Sequence, residues 1–166
     1  QHHGVDWKST GKAVFTMLTG GGTQRGGSTI TQQVIKNATG NNQPTIKRKV
    51  TEIFQALRFY KNYSREETLT FYLNLVYFGN HSYGIQAAAE NYFGKDAKDL
   101  TVAEGAAIVG ITQYPYLYDP SRQGTLDSGK TYREKNKERQ ELVLWLMKDQ
   151  GKISQEEYDQ AVTEEL

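Results

Sequence analysis

The chain contains no cysteine. That excludes a disulfide framework and a thiolate metal site, and it leaves the compartment open. Only three histidines are present, and His2, His3 and His81 lack the spacing of metal ligands. No stretch approaches the roughly 20 consecutive apolar residues that a bilayer-spanning helix needs, and no signal-peptide pattern opens the chain. Charge of one sign is also missing. The net charge is +1, so no global basic field draws the protein to nucleic acid, and no nucleic-acid partner is expected. What remains is a soluble, rather polar balance of 37% hydrophobic and 23% charged residues over 166 positions. That length suits one domain, spanning residues 1–166, with a real core.

Helical periodicity fills most of this length. "TIKRKVTEIFQALRFYK" places Ile46, Val50, Ile53, Phe54 and Leu57 three and four apart, the apolar face of a helix. Pro44 precedes it and Thr45 is its candidate N-cap. "SREETLTFYLNLVYFG" opens on a capping box, Ser64 with Glu67, carries the stripe Leu69, Tyr72, Leu73 and Val76, and ends at Gly79. Thr101 with Glu104 and Ser154 with Glu157 repeat the box. Small residues in "GIQAAAENYFG" suit a closely packed helix, and a long helix is expected from about Tyr132 to Gln150, with Leu142, Val143 and Leu146 on its apolar part. With no strict alternation and no hairpin signal, the pattern predicts an all-α domain of about seven helices. Two stretches resist. Thr19–Gly27, with five glycines in nine residues, reads as a mobile loop, and Gln113–Gly129 as a turn-rich surface loop.

Two short motifs can carry chemistry. In "GGSTITQQVIKN", Thr29 with Gln32 fits a capping box, with Ile30, Val34 and Ile35 in the core. The same helix start, preceded by glycines and followed by Lys36 one turn past Gln32, also suits a phosphate or pyrophosphate. In "KRKVTE", Arg48 and Glu52 lie at i, i+4 and Lys49 and Glu52 at i, i+3. This is either an exposed salt-bridged face or a cation cluster that binds phosphate beside an acid. Asn74, inside an apolar run, would need partners if buried, and the 11 tyrosines serve as core edges or sugar-stacking surfaces. Val14, Phe15, Met17 and Leu18 form an apolar cluster that either packs in the core or dips into a membrane surface.

Taken together, "HHGVD", "GGSTITQQVIKN", "RKVTE", "YLNLVYFG" and "AAAENYFGK" occur in this order over essentially the whole chain. In this the sequence resembles the peptidoglycan glycosyltransferase family, the lipid II polymerases of bacterial cell-wall synthesis. The tail from Tyr132 onward is similar to the end of this domain in bifunctional class A penicillin-binding proteins. The resemblance implies a mostly helical, lysozyme-like fold at the outer face of the cytoplasmic membrane. It implies a substrate pair of lipid II and the growing glycan chain, with undecaprenyl pyrophosphate released, and a divalent cation, Mg or Mn, bound with the substrate pyrophosphate. By motif, Glu52 would be the second catalytic glutamate, close to the leaving pyrophosphate. Ser28, Thr29, Gln32, Gln33, Lys36, Arg48 and Lys49 would bind substrate, and Trp7 to Arg25 would form a flexible, membrane-facing jaw.

The resemblance further implies a piece of a longer protein, with a membrane anchor upstream and a transpeptidase domain downstream. The family's first motif opens with Glu-Asp ahead of the "HHG" segment, which here would precede Gln1, so the fragment by itself is expected to be inactive or nearly so. Two other functions compete. A lysozyme-like hydrolase would need an acidic cleft without a pyrophosphate site, which Lys36, Arg48 and Lys49 oppose. A non-catalytic glycan-binding domain would hold substrate without turnover.

Overall fold

The computed structural model describes residues 4–19, 27–40, 43 and 45–165, without the side chains of residues 13, 14 and 16–19. The expectations for the glycine stretch 20–26, for Pro44 and for His2 and His3 lie outside these residues, as do those for the side chains of Val14, Met17 and Leu18. Nine α-helices are found among the described residues, and the chain divides into two compact units, Gln1–Leu75 and Val76–Leu166. The all-α class is as expected. All seven helices read from the sequence are present, and the two additional ones are the first, Trp7–Thr19, and a single turn, Pro115–Tyr118.

The first unit holds α1 (Trp7–Thr19), α2 (Ile30–Thr39), α3 (Ile46–Asn62) and α4 (Arg65–Leu75). The Asp6 side chain starts α1, accepting from the backbone N–H groups of Lys8 at 3.0 Å and Ser9 at 3.2 Å. α2 packs against both α3 and α4. Ahead of α1, Gly4 lies against α3 with φ +77°, and a β-carbon there would fall 2.8 Å from Tyr60 Cβ. Only glycine satisfies both the backbone conformation and that approach.

The apolar stripe predicted for α3 does not form its inner face. Phe54 is 68% exposed, Ile46 and Val50 are also exposed, and the buried positions are Lys49, Glu52 and Ala56. The physical reason is that Glu52 and Lys49 pair with each other and find further partners in Gln32 on α2 and in Ser28 just ahead of it, which compensates their burial. Ile30 is likewise exposed rather than in the core, which keeps Val34. Leu69 on α4 is exposed too, and α4 ends at Leu75, four residues before Gly79. Asn74 is exposed and donates to the Thr70 carbonyl at 2.9 Å, so it is no buried amide.

The second unit holds α5 (Ile85–Phe93), a short 3-10 turn (Ala97–Asp99), α6 (Val102–Ile111), α7 (Pro115–Tyr118), α8 (Tyr132–Asp149) and α9 (Gln155–Thr163). Its core joins Ala103 and Ala106 of α6, Leu144 of α8, Ile153, and Ala161 of α9. The face of α8 that meets α6 is Asn136, Gln140 and Leu144, spaced by four. Asn136 Nδ2 donates to the Ala107 carbonyl at 3.2 Å, and Gln140 Nε2 to that of Ala103 at 2.9 Å. Polar residues at two of three inner positions explain why apolar periodicity pointed to Leu142 and Leu146, which are exposed. Asn136 also donates to the Tyr118 carbonyl at 2.8 Å, so part of the expected surface loop is pinned to the core. The capping boxes of Ser64, Thr101 and Ser154 all form, as does an unforeseen one at Thr131 with Glu134.

Burial pushes the Glu104 carboxyl up, but the Lys95 ammonium at 2.8 Å and the Thr101 N–H at 2.8 Å outweigh it and hold it below the usual carboxylate range. A carboxyl lowered in the folded state contributes stability above its unfolded range and loses it as pH falls through that range. Glu104→Gln is therefore expected to flatten the acid side of the stability–pH curve, read by thermal melts between neutral and acid pH. Leu144→Ala should cost about 2–5 kcal/mol in urea unfolding, whereas Leu142→Ala, at an exposed site, should cost under about 0.5 kcal/mol.

Candidate functional site

The first unit places a polar network between the start of α2 and the second turn of α3. It begins with the helix cap. Thr29 Oγ1 accepts from the Gln32 backbone N–H at 3.3 Å, and Gln32 Oε1 accepts from the Thr29 N–H at 3.0 Å. The capping box read from the sequence thus exists, and it is extended at both ends. Thr29 Oγ1 donates to the Gly4 carbonyl at 2.6 Å, and Gln32 Nε2 donates to Glu52 Oε1 at 3.2 Å.

Glu52 sits at the centre. Its Oε2 accepts from Arg48 Nη1 at 2.5 Å, and its Oε1 pairs with the Lys49 ammonium. Lys49 Nζ also donates to Ser28 Oγ at 2.8 Å, which returns the network to the residue beside Thr29. This is not an exposed salt-bridged face: Glu52 is 4% and Lys49 5% exposed. A buried carboxylate is tolerated only when it is paired and hydrogen-bonded, and here two cations and an amide do both.

Beside this network lies a groove of about 240 Å³. Lys36, Lys47 and Arg48 bring positive charge to it, Thr45, Thr51 and Gln55 bring polar groups, and Glu52 is the only carboxylate among the residues that line it. Arg48 Nε is buried and has no hydrogen-bond partner among the described residues. The groove runs along the last turns of α2 and the first turns of α3, where Thr45 caps α3 by accepting from the Arg48 N–H at 3.2 Å. The described groove is therefore not at the start of α2, where the sequence suggested an anion cradle. There the cap is satisfied internally by Thr29 and Gln32.

Of the residues singled out by sequence, the structure joins Ser28, Thr29, Gln32, Arg48, Lys49 and Glu52 in one network and sets Lys36 in the adjoining groove. Gln33 is half-buried and belongs to neither; among the described residues its side chain makes no hydrogen bond. Sequence reasoning did not pick out Lys47, Thr51 or Gln55 individually as groove residues. The signal was present, since Arg48, Thr51, Glu52 and Gln55 share one face at spacings of three and four, but the apolar stripe on another face outcompeted it.

Comparison with known proteins gives this site its context. The family model described as Transglycosylase matches residues 1–148, and the chain belongs to that family. Penicillin-binding protein 1F of Bacillus subtilis is 44% identical over 157 residues, which cover 95% of this chain and 21% of that protein. Penicillin-binding protein 1A of Pseudomonas aeruginosa is 40% identical over 165 residues, covering 99% and 19% respectively. The crystal structure of penicillin-binding protein 1A from Haemophilus influenzae superposes with a TM-score of 0.50 at 29% identity, over 81% of this chain and 16% of that one. The chain thus spans about a fifth of the length of the curated relatives it matches.

The network predicts a specific stability pattern. Lys49→Met leaves the buried carboxylate short of a cation and should destabilise the first unit by roughly 3 kcal/mol. Adding Glu52→Leu should restore most of that loss, because the uncompensated charge is removed as well. Hydrogen exchange of the α2 and α3 amides reads both effects, and an additive double variant would contradict the buried pair.

Proposed function

We propose that this chain is the glycan-polymerising domain of a bifunctional class A penicillin-binding protein. In the reaction, the 4-hydroxyl of an incoming lipid II attacks the anomeric carbon of the growing, lipid-pyrophosphate-linked chain. The new glycosidic bond forms as the hydroxyl gives its proton to a general base other than Glu52, and undecaprenyl pyrophosphate leaves with the bonding pair. The observation that carries this reading is the groove lined by Lys36, Lys47 and Arg48 over the buried Glu52, in a chain of the transglycosylase family.

The leaving group develops negative charge, and fixed cations at that point stabilise it without reorganisation. Arg48 is held by Glu52, and the α3 N-terminus adds the positive end of its macrodipole. Lys36 and Lys47 ion-pair with no carboxylate among the described residues, which leaves their charge to the groove. Glu52 itself is poorly suited to take a proton from the attacking hydroxyl, because Arg48, Lys49 and Gln32 already engage both its oxygens. Its role is to fix positive charge beside the leaving pyrophosphate. Ser28, Thr29 and Gln33 remain candidates for sugar contacts.

No three histidine, aspartate or glutamate side chains converge among the described residues. The groove's single carboxylate is already paired with cations, so these residues do not fit a divalent ion held by the protein itself. A magnesium or manganese ion would be carried by the substrate's own pyrophosphate oxygens. A hydrolase reading is disfavoured by Lys36, Lys47 and Arg48 in the groove, since it calls for an acidic cleft without a pyrophosphate site. Trp7 is 63% and Phe15 66% exposed on α1, and these large apolar side chains support a membrane-facing surface. The relatives' names support an attached transpeptidase domain, and their roughly fivefold greater length leaves room for it and for an anchor at the outer face of the cytoplasmic membrane.

Lipid II polymerisation in detergent, in the longer protein that carries this chain, tests the reading. The expected result is polymer from the wild type and a loss of about 10²–10³-fold in rate for Glu52→Gln. Full activity in Glu52→Gln would refute the role given to Glu52. Substrate binding without any polymer from the wild type would favour a glycan-binding domain instead.

A further inference from the structure

We propose that Gln32 is a positioning residue for Glu52, and that the α2 capping box is the device by which it acts; this rests on the functional reading above. Gln32 has 0% exposure, although it is a long polar side chain. Its amide has no spare end. Oε1 closes the helix cap on the Thr29 N–H at 3.0 Å, and Nε2 donates to Glu52 Oε1 at 3.2 Å. The two ends cannot exchange roles, because an N–H needs the acceptor and a carboxylate needs the donor. The cap therefore fixes which face of the amide Glu52 meets, and Glu52 in turn fixes the amide.

The consequence is geometric. Ser28, Lys49, Glu52, Gln32 and Thr29 close a ring of side-chain and backbone contacts between α2 and α3. Inside that ring Oε1 of Glu52 is held by Gln32 and Lys49, so Oε2 is the oxygen that meets Arg48. Removing the amide donor leaves Oε1 on Lys49 alone, and the carboxylate can rotate away from Arg48. Because Gln32 is sealed from solvent, it acts on the groove through Glu52 rather than by touching substrate. An ordinary helix cap would need only Oε1; the Nε2 contact to a buried carboxylate is what a cap does not require.

The experiment compares Gln32→Glu and Gln32→Leu with the wild type in the longer protein that carries the chain. Gln32→Glu keeps an acceptor for the Thr29 N–H and so keeps the cap, but it turns the donor that faces Glu52 into a second buried carboxylate, so Oε1 of Glu52 is pushed from its position as well as released. Gln32→Leu loses both. For Gln32→Glu the expected result is helix content like the wild type, a kcat lowered at least about tenfold, and a KM within about twofold, the pattern of a lost transition-state interaction. A raised KM at full kcat would mean that Gln32 touches substrate, and unchanged kinetics would mean that it only caps the helix; either overturns the proposal. A second readout does not need turnover. In the wild type one Gln32 side-chain amide proton should exchange slowly with solvent, and in Glu52→Ala it should exchange at least about tenfold faster. A fast-exchanging proton in both proteins would refute the contact. If the wild type forms no polymer but the amide proton behaves as expected, the polymerase reading fails while the clamp stands.

Discussion

A carboxylate removed from water must be paired, and Glu52 imposes that requirement on the whole first unit. With 4% exposure it draws Arg48 and Lys49 from its own helix and Gln32 from the neighbouring one. Its partners then set the rest. Lys49 reaches Ser28, Gln32 closes the cap on Thr29, and Thr29 holds the Gly4 carbonyl, so the segment ahead of α1 is tied to the same centre. Gly4 accepts that position because it can adopt φ +77° against Tyr60. The packing of α2 on α3 is thus directed by charge and hydrogen bonding, with the apolar residues Ile46, Val50 and Phe54 turned outward.

This arrangement also explains how a nearly neutral chain, net +1, presents a cationic groove. Glu52 neutralises the two cations it holds only in part, and Lys36 and Lys47 add charge beside them. Three cations, Lys36, Lys47 and Arg48, line the groove against the single carboxylate of Glu52, which gives a local field that the overall composition does not reveal. The second unit is organised differently. Its centre is a small-residue helix, α6, against which α8 lays Asn136, Gln140 and Leu144.

The legible part of the sequence was the local chemistry. Every capping box read from spacing is present, because the cap and the third helical residue interact within one turn and need no tertiary information. The grouping of Arg48, Lys49 and Glu52 was legible for the same reason. Which face of a helix is inside was not. On α3 and α8 several inner positions are polar residues with partners 18 to 37 positions away, such as Gln32 for Glu52 and Ala103 for Gln140. Apolar periodicity carries no record of such partners, so it pointed to Val50, Phe54 and Leu142, which are exposed. The motif order was the other legible feature, and the family match over residues 1–148 agrees with it.

The central claim is that a buried glutamate arranges cations into a groove that holds pyrophosphate. Titration of the isotope-labelled chain with inorganic pyrophosphate, followed by NMR, tests it most directly. The account expects saturable shifts centred on Lys36, Lys47, Arg48 and Thr51, and at least tenfold weaker binding in Glu52→Gln. Shifts confined to other surfaces, or equal binding by Glu52→Gln, would contradict it.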